Sequence, residues 1–196
     1  MTDTRIQHAH TDHFLKSFCS ATKIQQSVIL DHGCGDGYAT TRFIQCGAIH
    51  VDSTDLQITP NVPNFLKPHQ IYPEVYDLVW SHHVIEHQEN PVKYLRDLYG
   101  CLKWAVGELW LGCPNTEGKA VFAEGHLCNF NLGNLVQCLK LAGFTTQSMS
   151  WLVSAGQLRI RVPKIKIRPE YPASFIKAFH RNIHFSISQQ PAIWRW

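Results

Sequence analysis

The chain has 196 residues, 44% of them apolar, which is enough to bury a full core and requires no second domain; a single domain spanning residues 1–196 is expected. No stretch approaches the roughly 20 apolar residues of a membrane span, and Met1-Thr2-Asp3-Thr4-Arg5 opens no secretory leader, so a cytoplasmic protein is expected. The net charge of +3 hides an asymmetry: residues 157–196 carry eight basic side chains against Glu170 alone, so the remainder is acidic.

The seven cysteines, Cys19, Cys34, Cys46, Cys101, Cys113, Cys128 and Cys138, are odd in number and never in Cys-x-x-Cys spacing. This argues against a disulfide framework and a zinc site alike.

From Ile6 to about Ser20 the apolar residues Phe14, Leu15 and Phe18 predict a helix ahead of the first strand. It contains His8-Ala9-His10-Thr11-Asp12-His13, a spacing that resembles the ligand run of metallo-β-lactamase-like hydrolases. There the run follows a strand and needs further ligands downstream; on a terminal helix these residues read as solvated histidines.

Val28-Ile29-Leu30 predicts a buried strand, and Asp31-His32-Gly33-Cys34-Gly35-Asp36-Gly37 a tight turn opening a helix from Tyr38 to Cys46, stopped by Gly47. Glycine lets the backbone approach a ligand where a Cβ would collide, and the N–H groups of a helix start point at it. A dinucleotide fingerprint would require glycine at position 38, where the chain has Tyr38.

Asp-x-Gly-x-Gly-x-Gly after a first strand resembles instead the cofactor loop of class I S-adenosylmethionine (SAM) methyltransferases. The resemblance implies that Gly33 and Gly35 wrap the methionine end of SAM and that Asp31 helps hold its ammonium group. Ala48 to Asp52 reads as the second strand, and Asp52, with Ser53 beside it, lies near where the Rossmann rule puts the ribose-binding carboxylate.

Pro60, Pro63, Pro68 and Pro73 forbid a regular helix across the next segment, where the family usually has a helix and a third strand. A shortened region with a short strand near His69-Gln70-Ile71-Tyr72 is expected, and no adenine contact can be assigned. Tyr76 to Ser81 then predicts a buried strand.

His82-His83-Val84-Ile85-Glu86-His87, Pro91, an amphipathic helix from Val92 to Leu102, Gly107, a strand from Glu108 to Leu111 and Pro114-Asn115 follow. This order resembles the "type 11" branch of small SAM methyltransferases, although Trp104-Ala105-Val106-Gly107 stands where the family usually has Pro-Gly-Gly. Residues 115–127 are expected to form a lid or substrate loop. Leu132, Leu135, Val136 and Leu139 mark a helix ending at Gly143, and Phe144 to Trp151 with Gln157 to Val162 a terminal antiparallel pair.

The resemblance covers residues 24–162. It implies a Rossmann-like, doubly wound, mostly parallel α/β/α sheet that binds SAM, and after transfer S-adenosylhomocysteine, across the carboxyl ends of its strands. Ser81 and His82 are expected to border the cofactor.

The segment after the strand at residues 76–81 lacks the Asn/Asp-Pro-Pro-Tyr of amino-directed base methyltransferases, and Cys113-Pro114 reverses the Pro-Cys of cytosine-C5 enzymes. No DNA-base substrate is expected, and an oxygen on a small-molecule, glycan or lipid-precursor acceptor is favoured.

His83, Glu86 and His87 would share a face if a helix began at His83, and His126 could meet them; His83, His87 or His126 would supply a base if one is needed. The set looks like the metal site of small-RNA terminal 2′-O-methyltransferases. Val-Ile-Glu-His also occurs in type 11 enzymes without a metal, where the Glu and His brace the lid, and no metal is expected. A SAM-fold partner subunit without turnover is a third reading. In the basic tail, Phe175, Phe179 and Ile183 recur every four residues, which fits packing, a homodimer contact, or an anionic membrane or RNA surface.

Overall fold

A computed structural model describes residues 4–18, 21–104, 106–116, 125–145, 149–154 and 157–164. The tail beyond Lys164 and most of the expected lid, residues 117–124, lie outside the described residues.

Two helices, α1 (Thr4–Phe18) and α2 (Ala21–Gln25), precede the sheet. Then come β1 (Val28–His32), α3 (Tyr38–Gln45), β2 (His50–Thr54), β3 (Leu78–His82), α4 (Pro91–Cys101), β4 (Glu108–Pro114), α5 (Leu132–Ala142), β5 (Ser150–Ser154) and β6 (Gln157–Pro163). The six strands run in the order β2-β1-β3-β4-β6-β5. Pairings of β1 with β2 and β3, and of β3 with β4, are parallel. β6 is antiparallel to both β4 and β5. The chain leaves β1 toward β2 on one side and reaches β3 on the other, and a crevice at the carboxyl ends follows from that reversal.

Helix ends obey local chemistry. Asn90 accepts from the Lys93 amide at 2.9 Å with Pro91 in the first turn of α4, and Asn131 and Asn134 cap the start of α5 reciprocally. Gly143, at φ 104°, closes α5 in the left-handed conformation.

Each face of the sheet buries its own core. Leu30, Val79, Leu109, Leu111, Leu158 and Ile160 pack toward α4 and α5. Ile29, Val51, Leu78, Trp80 and Trp110 pack with Phe14 and Leu15 of α1 and Phe43 of α3.

Three expectations need correction. No strand forms at His69–Tyr72: Pro68–Gln70 is a single 3-10 turn, and among the described residues the segment between β2 and Tyr76 touches the sheet through a bridge between Ser53 and Phe65. Four prolines remove ladder donors, and Asn64 and Glu74 take positive φ, so the segment wraps the β2 edge without adding a strand. β2 runs two residues beyond Asp52, to Thr54. No helix begins at His83, whose φ is 58°; a 3-10 turn covers Ile85–His87 and α4 starts only at Pro91.

Candidate functional site

The β1 end turns sharply because the Gly33 and Cys34 amides both donate to the Thr54 carbonyl, at 2.8 and 3.0 Å, fastening the turn to β2. Gly33, Gly35 and Gly37 all have positive φ, for different reasons. A Cβ on Gly33 would lie 2.2 Å from Val84, and one on Gly37 2.3 Å from Val62, so packing alone demands glycine there. A Cβ on Gly35 would meet nothing within 4 Å. Gly35 thus opens on the space a bound molecule would fill.

The Gly35 amide donates to Asp55 Oδ2 at 3.0 Å. Asp55 Oδ1 in turn accepts from the Gln57 and Ile58 amides, at 2.8 and 3.1 Å, which fixes the carboxylate just past the end of β2. Asp52 sits elsewhere: its carboxylate is buried, accepts from Tyr76 Oη at 2.8 Å and meets His50 Nε2 at 2.7 Å. The sequence pattern ends β2 two residues early, at Asp52, and so misses Asp55, the first residue past the strand; its position 20 residues after Gly35 is the signal that points to it.

Beneath the turn, Thr40 donates to Asp31 Oδ2 at 2.6 Å, and since its one proton is then used, Ser53 donates to Thr40 at 2.7 Å. Ser53 is therefore part of an internal chain supporting Asp31. Asp31 Oδ1 is buried without a partner. Burial first, with Asp55 and Asp36 adding, pushes the Asp31 carboxyl up to about 7. A buried carboxylate oxygen left unmatched beside a glycine cradle fits a ligand that brings a cation.

At the end of β3, Ser81 pairs with Tyr94 Oη at 2.8 Å, which also meets His32 Nδ1 at 3.2 Å. Burial holds His32 down at about 4, so this imidazole is neutral. His82 lies over Gly112 of β4, where any Cβ would approach its Cδ2 to 2.2 Å.

The four residues read as one set divide into two. His83 Nδ1 is 3.0 Å from Glu86 Oε1, and the carboxylate is 1% exposed. His83 Nε2 and Glu86 Oε2 are both buried without partners. His87 instead uses Nδ1 on the Gly125 carbonyl at 2.8 Å, with its ring 4.9 Å from that of His126. The Glu86 carbonyl accepts from the Leu127 and Cys128 amides, so Glu86 and His87 together hold residues 125–128. Glu86, His87 and His126 also offer ligand atoms within 4.8 Å of one another.

α1 is closer to this region than its sequence suggested. His8 Nε2 meets Asp36 Oδ2 at 2.7 Å and stacks on Tyr38 at 3.8 Å. Asp12 accepts from Tyr38 Oη and Arg42 Nε. Thr11 meets His82 Nδ1 at 3.3 Å, and the His10 ring lies 5.9 Å from that of His83. The histidine run therefore fastens α1 over the glycine turn and the β3 end, which a one-dimensional pattern of polar residues cannot reveal.

A mostly parallel sheet with open space beside Gly35 in the turn after its first strand and an acid just past its second strand defines a Rossmann-like cofactor-binding protein. A family model described as a methyltransferase domain matches residues 7–149. Among solved structures, the fold resembles the SAM-dependent methyltransferase of Archaeoglobus fulgidus (TM-score 0.63, 14% identity, 83% of this chain and 95% of that one). It also resembles the Burkholderia thailandensis 1,6-didemethyltoxoflavin-N1-methyltransferase with bound 1,6-didemethyltoxoflavin and S-adenosylhomocysteine (TM-score 0.59, 19% identity, 80% and 84%). A SAM-dependent methyltransferase from Mesorhizobium loti is similar as well (TM-score 0.59, 13% identity, 76% and 95%). No curated protein matches the sequence. The chain belongs to the methyltransferase-domain family of class I SAM-dependent methyltransferases. Among the described residues no helix is long and apolar enough to cross a membrane.

Proposed function

We propose that the chain moves a methyl group from SAM to an oxygen of a small-molecule, glycan or lipid-precursor acceptor, with His83 as the base. The observation that carries this reading is the His83–Glu86 pair. A carboxylate that accepts from Nδ1–H fixes the imidazole tautomer and leaves Nε2 as a lone-pair acceptor. That nitrogen is buried and unmatched next to the end of β3. An oxygen acceptor loses a proton on methylation, and a positioned imidazole is worth about 10²–10⁴-fold in such a step. The left-handed backbone at His83 is the kind of local strain found where a side chain must be aimed.

SAM, when bound, supplies the electrophilic methyl group. Gly35 leaves room for its methionine end while Gly33 lets the turn close on Val84, Asp31 matches its ammonium, and Asp55 in place of Asp52 receives the ribose hydroxyls. Ser81 and His82 border the same space. The protein's main contribution is alignment, worth up to about 7–11 kcal/mol in well-oriented systems. His83 Nε2 would take the acceptor's proton as the acceptor oxygen bonds to the methyl carbon and the methyl–sulfur bond breaks, S-adenosylhomocysteine being the leaving group, and the Glu86 carboxylate would stabilise the resulting imidazolium. Loss of methylation in His83→Asn with S-adenosylhomocysteine binding intact tests this role.

A second reading rests on Glu86, His87 and His126. Two imidazoles and a carboxylate suit Zn²⁺ or Mn²⁺. The Gly125 carbonyl orients His87 as an outer partner would, leaving its Nε2 as the ligand. A metal there would favour an RNA ribose as acceptor.

A further inference from the structure

The turn after β1 and the turn after β3 meet where Val84 stands over Gly33. Val84 Cγ2 lies 2.2 Å, and Cγ1 3.3 Å, from the position that a Cβ on Gly33 would take. Gly33 is two residues from Asp31 and two from Gly35, the acid and the glycine assigned to the methionine end of SAM. Val84 directly follows His83, the proposed base.

Both sides of this contact are held from behind. The Gly33 amide is fixed on the Thr54 carbonyl at 2.8 Å, which keeps the turn against β2. Opposite it, the His83 amide donates to the Gly112 carbonyl at 2.9 Å, and the Val84 carbonyl accepts from the His87 amide and from Gln88 Nε2, both at 3.1 Å. Between these anchors His83 takes a φ of 58°, a conformation that a residue with a Cβ keeps only where its surroundings impose it. Relaxing that angle would carry Val84 with it, and Gly33 stands in the way.

A ligand would stiffen the glycine turn from its open side. Asp31 Oδ1 is buried and unmatched, and the space beside Gly35 is empty, so a cation and its carrier restrain the turn at both places. A restrained Gly33 leaves Val84, and through it His83, fewer positions, and two sites that order the same contact are coupled in free energy. We propose that Val84 is a positioning residue that couples cofactor to base: with SAM in the turn, Gly33 holds Val84, and Val84 holds the His83 backbone in the left-handed conformation that aims its imidazole. This rests on the methyltransferase reading with His83 as base, and adds that the base is aimed once the methyl donor is bound.

The test is amide hydrogen exchange on the full-length protein with and without saturating S-adenosylhomocysteine, whose binding is measured first by calorimetry. In the wild type the ligand should slow exchange at Gly33 and Cys34 and also, by about fivefold or more, at His83 and His87. Val84→Ala should bind the ligand within about threefold of wild type and keep the slowing at Gly33 and Cys34, yet lose it at His83 and His87. Val84→Ile, which retains both γ carbons, should restore it. A valine with a structural role alone would leave the ratio of exchange with and without ligand unchanged on truncation. Slowing confined to the turn in the wild type, which needs no variant to fold, or slowing that survives at His83 in Val84→Ala, would overturn the proposal.

The contact itself is tested without ligand. Gly33→Ala and Val84→Ala should each lower the melting temperature, but the double variant should lose less than their sum. With both γ carbons gone, the new methyl meets Val84 Cβ at 3.4 Å, an ordinary contact. Additive losses would also overturn the proposal. Absent S-adenosylhomocysteine binding would strike the methyltransferase reading and the coupling with it, whereas binding without slowing at His83 would strike the coupling alone.

Discussion

The Gly35 amide and the Asp55 carboxylate are joined at 3.0 Å, which brings the one glycine of the turn that opens on empty space against the first residue past β2. Asp55→Ala should therefore weaken SAM binding by roughly 1–3 kcal/mol, about 5- to 150-fold, since ribose hydroxyls lose their acceptor. Asp52→Ala should barely change that affinity but lower the melting temperature, because it strands the buried Tyr76 hydroxyl. Calorimetry and thermal unfolding on both variants separate the roles, and reversed results would return the ribose to Asp52.

The glycines of the turn should separate in the same way. Gly33→Ala drives a Cβ into Val84 at a positive φ and should destabilise the fold. Gly35→Ala has open space and only the left-handed backbone to contend with, roughly 1–2 kcal/mol. Its larger effect should be on SAM affinity, and an intact affinity would remove Gly35 from the cradle.

Asp31 predicts a proton linkage. Burial raises its carboxyl from 3.8 to about 7 in the folded protein. The folded state binds the proton more tightly than the unfolded one, so this contribution to stability is full below about pH 4 and is lost as pH rises through 7. Asp31→Asn should remove that decline, worth at most about 4 kcal/mol, and the ligand-free variant should be the more stable form at pH 8. An ammonium against Asp31 favours the ionised carboxylate, so binding S-adenosylhomocysteine near pH 6 should release close to one proton. Calorimetry in buffers of different ionisation enthalpy measures it, and no release would separate Asp31 from the ligand.

What the sequence disclosed follows from the range of the interactions concerned. Apolar runs and helix stops are local, so β1, α3, α4, α5 and β6 are legible within a few residues of their observed limits, whereas the strand expected over Phe144 to Trp151 is observed at Ser150–Ser154. The sequence pattern ends β2 too early because Ser53 and Thr54 are polar yet buried, held by Thr40 and the glycine turn, which only tertiary contact reveals. Helical spacing would make His83 a companion of His87; a positive φ at His83 rotates it away. The contacts of α1 are illegible for the same reason, since its partners lie far along the chain.

Glu108 tests the far end of the sheet from the site. Its carboxylate is desolvated, which by itself would raise its pKa, but Arg161 (2.6 and 2.9 Å), Lys23 and the Trp110 indole outweigh this and bring it down to about 2. The folded value lies below the unfolded 4.5, so the stabilisation is present above pH 4.5 and lost as pH falls toward 2. It amounts to about 3 kcal/mol at most. Glu108→Gln should lower stability at pH 7 and flatten the acid limb of an unfolding profile between pH 5 and 2. An unchanged acid limb would show that other carboxylates set it.

The His83–Glu86 pair and the Glu86–His87–His126 cluster share one carboxylate, and chelation separates them. With His83 as base and Glu86 and His87 bracing residues 125–128, a chelator should leave methylation unchanged. His83→Asn, which tolerates the left-handed backbone that the position requires, should cut turnover by about 10²–10⁴-fold without altering S-adenosylhomocysteine affinity. Glu86→Gln should cost less, because an amide oxygen still accepts from Nδ1–H and only the charge is lost. His87→Ala should act mainly on stability, by freeing the Gly125 carbonyl. A bound metal reverses this order: chelator would abolish turnover, Mn²⁺ or Zn²⁺ would restore it, and His126→Ala, which touches neither His83 nor the brace through Gly125, would lose both the ion and the activity. Metal analysis of the wild type beside His126→Ala decides between a base working alone and one helped by an ion.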